Sequence, residues 1–287
     1  CDTTCLVYGD CCDDVCDTCG GDLCASNFTV TSAISEDDNF CFAVSDTSAT
    51  TGSATYAGAS YVYGRNSTGK WYKEPGIDFN SDATASAYSG NAMAPISSKR
   101  YVIGCYQCTS NGLSTGTAYI RRFNGTGWIQ EAKLVAADGE SLTSSQGAQY
   151  FGYSVAGFTH YYSDYHYHYA VVGAPYAYDS YYRQGALYVF KQDLQRDWYQ
   201  DKKLLAWGGG LASDQYYGWS LASFGDGCVV AGMGYQDTSD PKAYVHCVVG
   251  QNGTWNESGV LQAADWGAGT DFPKYFGWAL DNVGSDR

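Results

Sequence analysis

Phe151-Gly152-Tyr153-Ser154-Val155-Ala156 opens a stretch that continues through Tyr169-Ala170-Val171-Val172-Gly173-Ala174-Pro175, Gly185-Ala186-Leu187-Tyr188-Val189-Phe190, and Trp198 with Lys203-Leu204-Leu205-Ala206. Each of these four runs is short, rich in β-branched or aromatic residues, and bounded by Gly, Pro, Asp or Ser. None holds a 3.6-residue apolar period long enough for a helix, so four successive strands are predicted.

The same order recurs along the chain. Its starts are Ser89-Gly90-Asn91-Ala92-Met93-Ala94, the segment at Phe151, Tyr217-Gly218-Trp219-Ser220-Leu221-Ala222, and Phe276-Gly277-Trp278-Ala279-Leu280, with the glycines 62, 66 and 59 residues apart. The copy before the best-formed one reads Tyr101-Val102-Ile103-Gly104, Thr117-Ala118-Tyr119-Ile120, Trp128, and Ala132 to Ala136. The copy after it reads Cys228-Val229-Val230-Ala231-Gly232, Ala243-Tyr244-Val245-His246-Cys247, Trp255, and Val260-Leu261-Gln262-Ala263. A degenerate first copy beginning near Asn27 runs through Phe42-Ala43-Val44, Ala59 to Tyr63, and Trp71. A period of about sixty residues marks stacked supersecondary units rather than one irregular core.

The Phe-Gly, Val-Val-Gly-Ala-Pro and Gly-Ala-Leu-Tyr-Val-Phe elements of residues 151–190 resemble the FG-GAP repeat of integrin alpha subunits and many secreted proteins. In that family each repeat is one four-stranded antiparallel blade of a β-propeller. Other copies match more loosely, with Ser89 where Phe is expected and Ala231-Gly232-Met233 in place of Gly-Ala-Pro. The resemblance implies an all-β chain of propeller-type repeats over 26–287, divided near 26–88, 89–150, 151–216, 217–275 and a partial 276–287. It implies little about activity, since propellers host many unrelated functions.

Residues 1–25 form a separate cystine-rich segment. Cys1-Asp2-Thr3-Thr4-Cys5 through Cys11-Cys12-Asp13-Asp14 and Cys19 is similar to the later part of a somatomedin B domain, an extracellular disulfide module, although Cys16 is additional. Eight of the twelve cysteines (Cys1, Cys5, Cys11, Cys12, Cys16, Cys19, Cys24 and Cys41) fall in the first 41 residues. That region is too poor in apolar residues to fold without covalent staples, which points to disulfides and an oxidising, extracellular compartment. Metal binding is the rival for such a cluster, but the vicinal Cys11-Cys12 pair and the missing CxxC…CxxC spacing oppose tetrahedral zinc. In the repeats, Cys228 and Cys247 fall on the second and third strands of one unit, neighbours in a hairpin, and are predicted to bond. Cys105 and Cys108 form a loop staple, since a redox CxxC needs a helix N-terminus to activate its thiol.

A formal charge of −14 with only 16 basic residues opposes binding to nucleic acid or anionic membranes. No apolar run is long enough for a membrane-spanning helix. The 27 tyrosines suit strand-rich, half-wet surfaces, and equally suit stacking platforms for sugars.

Five sequons occur, at Asn27, Asn66, Asn124, Asn252 and Asn256. Asn66, Asn124 and Asn252 share one place, the turn between the third strand and the tryptophan of the fourth, which would project glycans from one side of the array. Asn-Gly is also good hairpin chemistry, and that accounts in part for Asn124 and Asn252. Calcium is the cofactor the resemblance suggests. Yet Glu36-Asp37-Asp38-Asn39, Ser163-Asp164, Gly225-Asp226-Gly227 and the run from Asp281 to Asp286 lack the alternating ligands a seven-oxygen cage requires, so no cofactor is expected. His166 and His168 share a strand face and would need His160 or Asp164 to complete a zinc or copper site. No Ser–His–acid set, phosphate loop or glycosidase-type carboxylate pair can be located, so no catalytic residue is assigned and a non-enzymatic role is expected.

Closed propellers of this family typically carry about seven blades, more than 287 residues supply at about sixty each. The expectation is either a longer polypeptide or an open array covered by other chains. A strand at Trp278-Ala279-Leu280 would form an edge needing a partner. These features lead to a secreted, glycosylated structural or adhesion protein that self-associates, possibly into filaments. The alternative is a carbohydrate- or protein-binding propeller module using Tyr- and Trp-rich loops.

Overall fold

The computed structural model describes residues 29–34, 41–46, 49–50, 55–66, 68, 70–76, 84–109, 115–138, 149–162, 165–193, 195–207, 213–225, 227–234, 242–249, 253–262 and 277–281. All regular secondary structure among them is β-strand. Sheet 1 comprises β1 (Thr29–Ile34), β2 (Cys41–Asp46), β3 (Ala59–Arg65) and β4 (Trp71–Lys73). Sheet 2 comprises β5 (Met93–Ser97), β6 (Arg100–Cys105), β7 (Thr117–Phe123) and β8 (Trp128–Leu134). In sheet 3 the strands are β9 (Ser154–Tyr162), β10 (Tyr165–Ala174), β11 (Ala186–Gln192) and β12 (Trp198–Leu204). In sheet 4 they are β13 (Tyr217–Phe224), β14 (Cys228–Met233), β15 (Lys242–Val249) and β16 (Thr254–Gln262).

Each sheet is an antiparallel meander whose strands pair in chain order. The four sheets match the four copies read from the sequence, including the degenerate first. First strands of successive sheets lie beside one another, β1 by β5, β5 by β9 and β9 by β13. The sheets therefore stack face on face, and a middle sheet is covered on both sides.

Sheet 3 displays the consequence in its alternation. Ala170, Val172, Ala186, Tyr188 and Phe190 point back into a core shared with Val102, Ala118, Ile120 and Leu134 of sheet 2. The intervening Tyr169, Val171, Leu187 and Val189 point forward into a core shared with Tyr217, Leu221, Val229 and Ala231 of sheet 4. Period-two side chains buried on both faces explain why these strands read as unbroken apolar runs.

A glycine contact fixes the spacing between sheets. A Cβ on Gly104 of β6 would lie 2.0 Å from the carbonyl oxygen of Gly152, and one on Gly173 of β10 would lie 2.3 Å from that of Gly218. The carbonyls of the repeat-start glycines Gly152 and Gly218 thus rest on the bare backbone of a second-strand glycine in the preceding sheet. The Ser154 hydroxyl also donates to the Gly218 oxygen at 2.6 Å. Just beside this contact, Ser89, Phe151 and Tyr217 donate their amides to the carbonyls of Ala57, Thr115 and Gln184, at 3.1, 3.1 and 3.0 Å.

Gly173→Ala should therefore lower unfolding stability by roughly 1–3 kcal/mol or more through forced overpacking. Gly259→Ala, where no atom lies within 4 Å of the added methyl, should stay within about 0.5 kcal/mol of wild type. Thermal denaturation of the two variants reads the difference.

Candidate functional site

Each repeat start carries a tyrosine two residues before its glycine. Tyr88, Tyr150 and Tyr216 all have left-handed backbone, with φ of 52°, 56° and 54°. That conformation is uncommon for a bulky side chain, and it turns each phenol toward its neighbours across the sheet boundary.

The result is a ladder along the end of the sheets opposite the hairpin turns. Tyr56 meets Tyr88 at 6.0 Å between ring centroids, Tyr88 meets Tyr106 at 5.9 Å, and Tyr106 meets Tyr150 and Tyr153 at 5.3 and 5.5 Å. Tyr150 continues to Tyr176 at 4.4 Å and Tyr176 to Tyr216 at 5.0 Å, while Tyr153 reaches Trp219 at 4.6 Å. Trp219 then meets Trp278 at 4.6 Å. The inner rungs are half-buried, and the terminal rungs Tyr56 and Trp278 are 51% and 45% exposed. Burial and the neighbouring phenols Tyr106, Tyr176 and Tyr150 push Tyr153 up to about 12, so this phenol is neutral at physiological pH. Composition flagged the tyrosines. Their register did not stand out, because the Tyr-x-Gly spacing becomes visible only once the glycines are aligned.

Trp278, Ala279 and Leu280 do not form the strand expected from the sequence. They form a turn-and-bend segment seated on the forward face of sheet 4, because local docking there replaces ladder pairing. Ser220 donates its hydroxyl to the Gly277 carbonyl, as Ser154 does to Gly218. Leu280 packs with Ala222, Val230 and Ala243, the service that Leu221 and Val155 perform one and two units earlier.

Past that segment the face changes character. Leu134, Leu204 and Leu261 occupy the same register, opposite Ala118, Leu187 and Ala243. The first two are 2% and 7% exposed beneath the next sheet, whereas Leu261 is 47% exposed. Phe224, two residues beyond Ala222 on the same face, is 42% exposed. At the other end of the array Tyr61 pairs with Val44 as Tyr119 pairs with Ile103 and Tyr188 with Val172. Tyr119 and Tyr188 are fully buried between sheets, while Tyr61 is partly exposed.

Cys228 and Cys247 lie directly opposite each other in the β14–β15 register and are bridged, with Cα atoms 4.1 Å apart. Cys105 and Cys108 are also bridged and fully buried, with Cys105 as the last residue of β6 rather than in the loop beyond it. Cys1, Cys5, Cys11, Cys12, Cys16, Cys19 and Cys24 lie outside the described residues, and Cys41 opens β2. Asn27 and Asn252 also lie outside them, as do 36–39, 163–164, Asp226 and 282–286 of the acidic loops weighed for calcium.

Asn66 and Asn124 are exposed and directly follow the third strands of sheets 1 and 2. In both sequons the threonine hydroxyl donates to the asparagine Oδ1, Thr68 at 2.7 Å and Thr126 at 2.9 Å. The carbonyl side of each amide is thereby held in the turn. Asn256 is exposed on β16.

The histidine cluster separates. His168 pairs with Thr159 and Tyr167 with His160, so His160 projects from the opposite face to His168 and is buried. Thr159 Oγ1 donates to the Ile96 carbonyl at 2.8 Å and so receives the Nδ1 proton of His168 at 2.9 Å. His168 Nε2 then accepts from Arg100 at 3.2 Å, which engages the lone pair a metal would use. Among the described residues no group of three His, Cys, Asp or Glu could hold a metal ion. No family model matches the chain, and no curated protein matches it.

Two stability tests follow from these placements. Replacing Cys228 and Cys247 together with alanine removes a cross-link that closes a loop of about twenty residues and should cost about 3 kcal/mol, read by denaturant unfolding. Burial, with Arg100 adding its charge at His168, holds His168 and His246 at about 4, against an ordinary 6.5. Between those values the unfolded chain binds more protons than the folded one, so stability is full above pH 6.5 and falls as pH drops toward 4. His168→Gln should remove roughly half of that slope in melting temperature measured against pH.

Proposed function

We propose that this chain is a secreted, glycosylated, non-enzymatic structural or adhesion protein, built of FG-GAP-like β-propeller blades, that self-associates end to end into filaments. Four meander sheets with adjacent first strands support the blade reading. Two bridged cysteine pairs and the exposed sequons support a secreted protein.

The observation that carries the assembly reading is the contrast among Leu134, Leu204 and Leu261. A position sealed by the next unit twice within the chain is half exposed at the third occurrence, on a face already keyed by Gly277 and Leu280. A contiguous apolar face of this kind marks an interaction surface. The partly exposed back of sheet 1, with Tyr61, is the surface that every internal sheet turns toward its predecessor. Joining front to back is a heterologous contact, which repeats indefinitely when its rotation does not close a ring. It would also bring the exposed terminal rungs Trp278 and Tyr56 of successive copies toward one another. Asn66 and Asn124 lie at the hairpin-turn end, away from both faces, so glycans there would leave the contact open.

Light scattering across a concentration series checks this. Wild-type mass should rise with concentration, and Leu261→Asp should hold the protein monomeric without lowering its unfolding stability by more than about 1 kcal/mol, because the site is already half exposed. Wild-type protein that stays monomeric at every concentration would defeat the proposal. The aromatic ladder favours a second reading, a carbohydrate- or protein-binding propeller. In that case a glycan-array signal should disappear when Tyr150 and Tyr176 are changed to alanine.

A further inference from the structure

In a chain carrying 30 acidic and 16 basic residues, four of the basic side chains meet at one place. A cleft of about 480 Å³ opens at the hairpin-turn end between sheets 2 and 3, lined among others by Lys99, Arg100, Arg122, Arg196, His166 and Tyr165. Lys99 comes from the β5–β6 turn, Arg100 from the start of β6, Arg122 from β7, His166 and Tyr165 from β10, and Arg196 from the β11–β12 turn.

The floor of this cleft is rigid. Glu131 is only 11% exposed and accepts from Arg100 Nε at 2.9 Å, from a terminal Arg100 nitrogen at 3.0 Å, from Arg122 Nε at 3.0 Å and from the Trp198 indole at 3.2 Å. The two guanidiniums and one carboxylate leave a net positive charge with fixed orientation. Neutral His168, held between Thr159 and Arg100, adds a further brace. Among the described residues Asp193 is the one carboxylate that lines the cleft directly, and its Oδ1 accepts from the Asp197 amide at 2.8 Å within its own turn. Among the described residues, Lys99 and Arg196 have no carboxylate partner. Two free cations over two braced guanidiniums make a receptor for an anion.

Two observations narrow the class of anion. The cleft volume is several times what one phosphate or sulfate fills, and is of the size that takes a small organic ligand. Its wall carries Phe123 and the 48% exposed Tyr165, rings suited to the C–H face of a sugar. In addition, the β11–β12 turn that supplies Arg196 has Asp193 where the other turns have the sequon residues Asn66 and Asn124. No glycan of that kind would grow over the mouth from this side.

We propose that this cleft binds a carboxylate-bearing sugar unit of an acidic polysaccharide, with Lys99 and Arg196 closing on the carboxylate over the Arg100–Glu131–Arg122 floor and Tyr165 stacking on the ring. The site is independent of end-to-end association, since it lies at the hairpin-turn end rather than on the terminal faces.

Isothermal titration of the full chain with a galacturonate tetramer tests it, beside a neutral galactose tetramer and inorganic phosphate. Binding of the galacturonate tetramer is expected, weakened at least tenfold in Lys99→Gln/Arg196→Gln and at least threefold in Tyr165→Ala, with no binding of the neutral tetramer. Absence of galacturonate binding, or affinity unchanged in the double variant, overturns the site. Phosphate binding as tightly as the tetramer overturns the sugar assignment. Loss of self-association in the double variant, with no effect on sugar, would instead assign the cleft to an acidic surface of a second copy and overturn the proposal. Both glutamine variants alter exposed side chains, and an unchanged melting temperature verifies that they fold.

Discussion

The contact on which the rest depends is a carbonyl oxygen resting on a glycine backbone. At Gly104 and Gly152, Gly173 and Gly218, and Gly232 and Gly277, the start of one unit approaches the second strand of the preceding unit too closely for any side chain between them. A hydroxyl from Ser154 or Ser220 secures two of the three. Because the approach is backbone to backbone, it sets sheet spacing independently of which apolar residues fill the cores. Those fillings vary freely, with Val155, Leu221 and Leu280 serving in turn. The same contact also creates a forward face on every unit, and on sheet 4 that face extends beyond what residues 277–281 cover.

Much of this architecture was legible because apolar strands bounded by glycine repeat at a fixed period. Four four-stranded sheets correspond to the four copies, and the Cys228–Cys247 bridge follows from two cysteines on adjacent strands. The functional surfaces were less legible, for identifiable reasons. Trp278 to Leu280 has strand composition, yet docking through Gly277 and Leu280 holds it as a bend. The left-handed tyrosines at 88, 150 and 216 violate the usual preference of bulky residues, so local propensity gives no signal for the ladder. His160 and His168 are eight residues apart, a spacing that would share a face within one strand, but they sit on different strands whose pairing sets His160 opposite Tyr167 and so on the other face from His168. The basic cleft gathers residues from four hairpins that no linear window contains, beneath a net charge that points the other way.

The two ends of the stack carry opposite chemistry. At the loop end, phenols and indoles run without interruption across the sheet boundaries and finish half exposed at Tyr56 and Trp278. At the hairpin-turn end lie the sequon turns of Asn66 and Asn124 and the cationic cleft between sheets 2 and 3. The faces between these ends are apolar and, in the interior, completely covered. A molecule organised this way presents its binding chemistry at the rims and reserves its faces for stacking.

Amide hydrogen exchange followed as protein concentration is raised localises any contact that forms between the terminal faces. Exchange across 254–262 and 277–281, together with β3 and β4 of sheet 1, should slow with concentration while sheets 2 and 3 remain unchanged. Exchange at the two terminal faces that is indifferent to concentration would contradict the account.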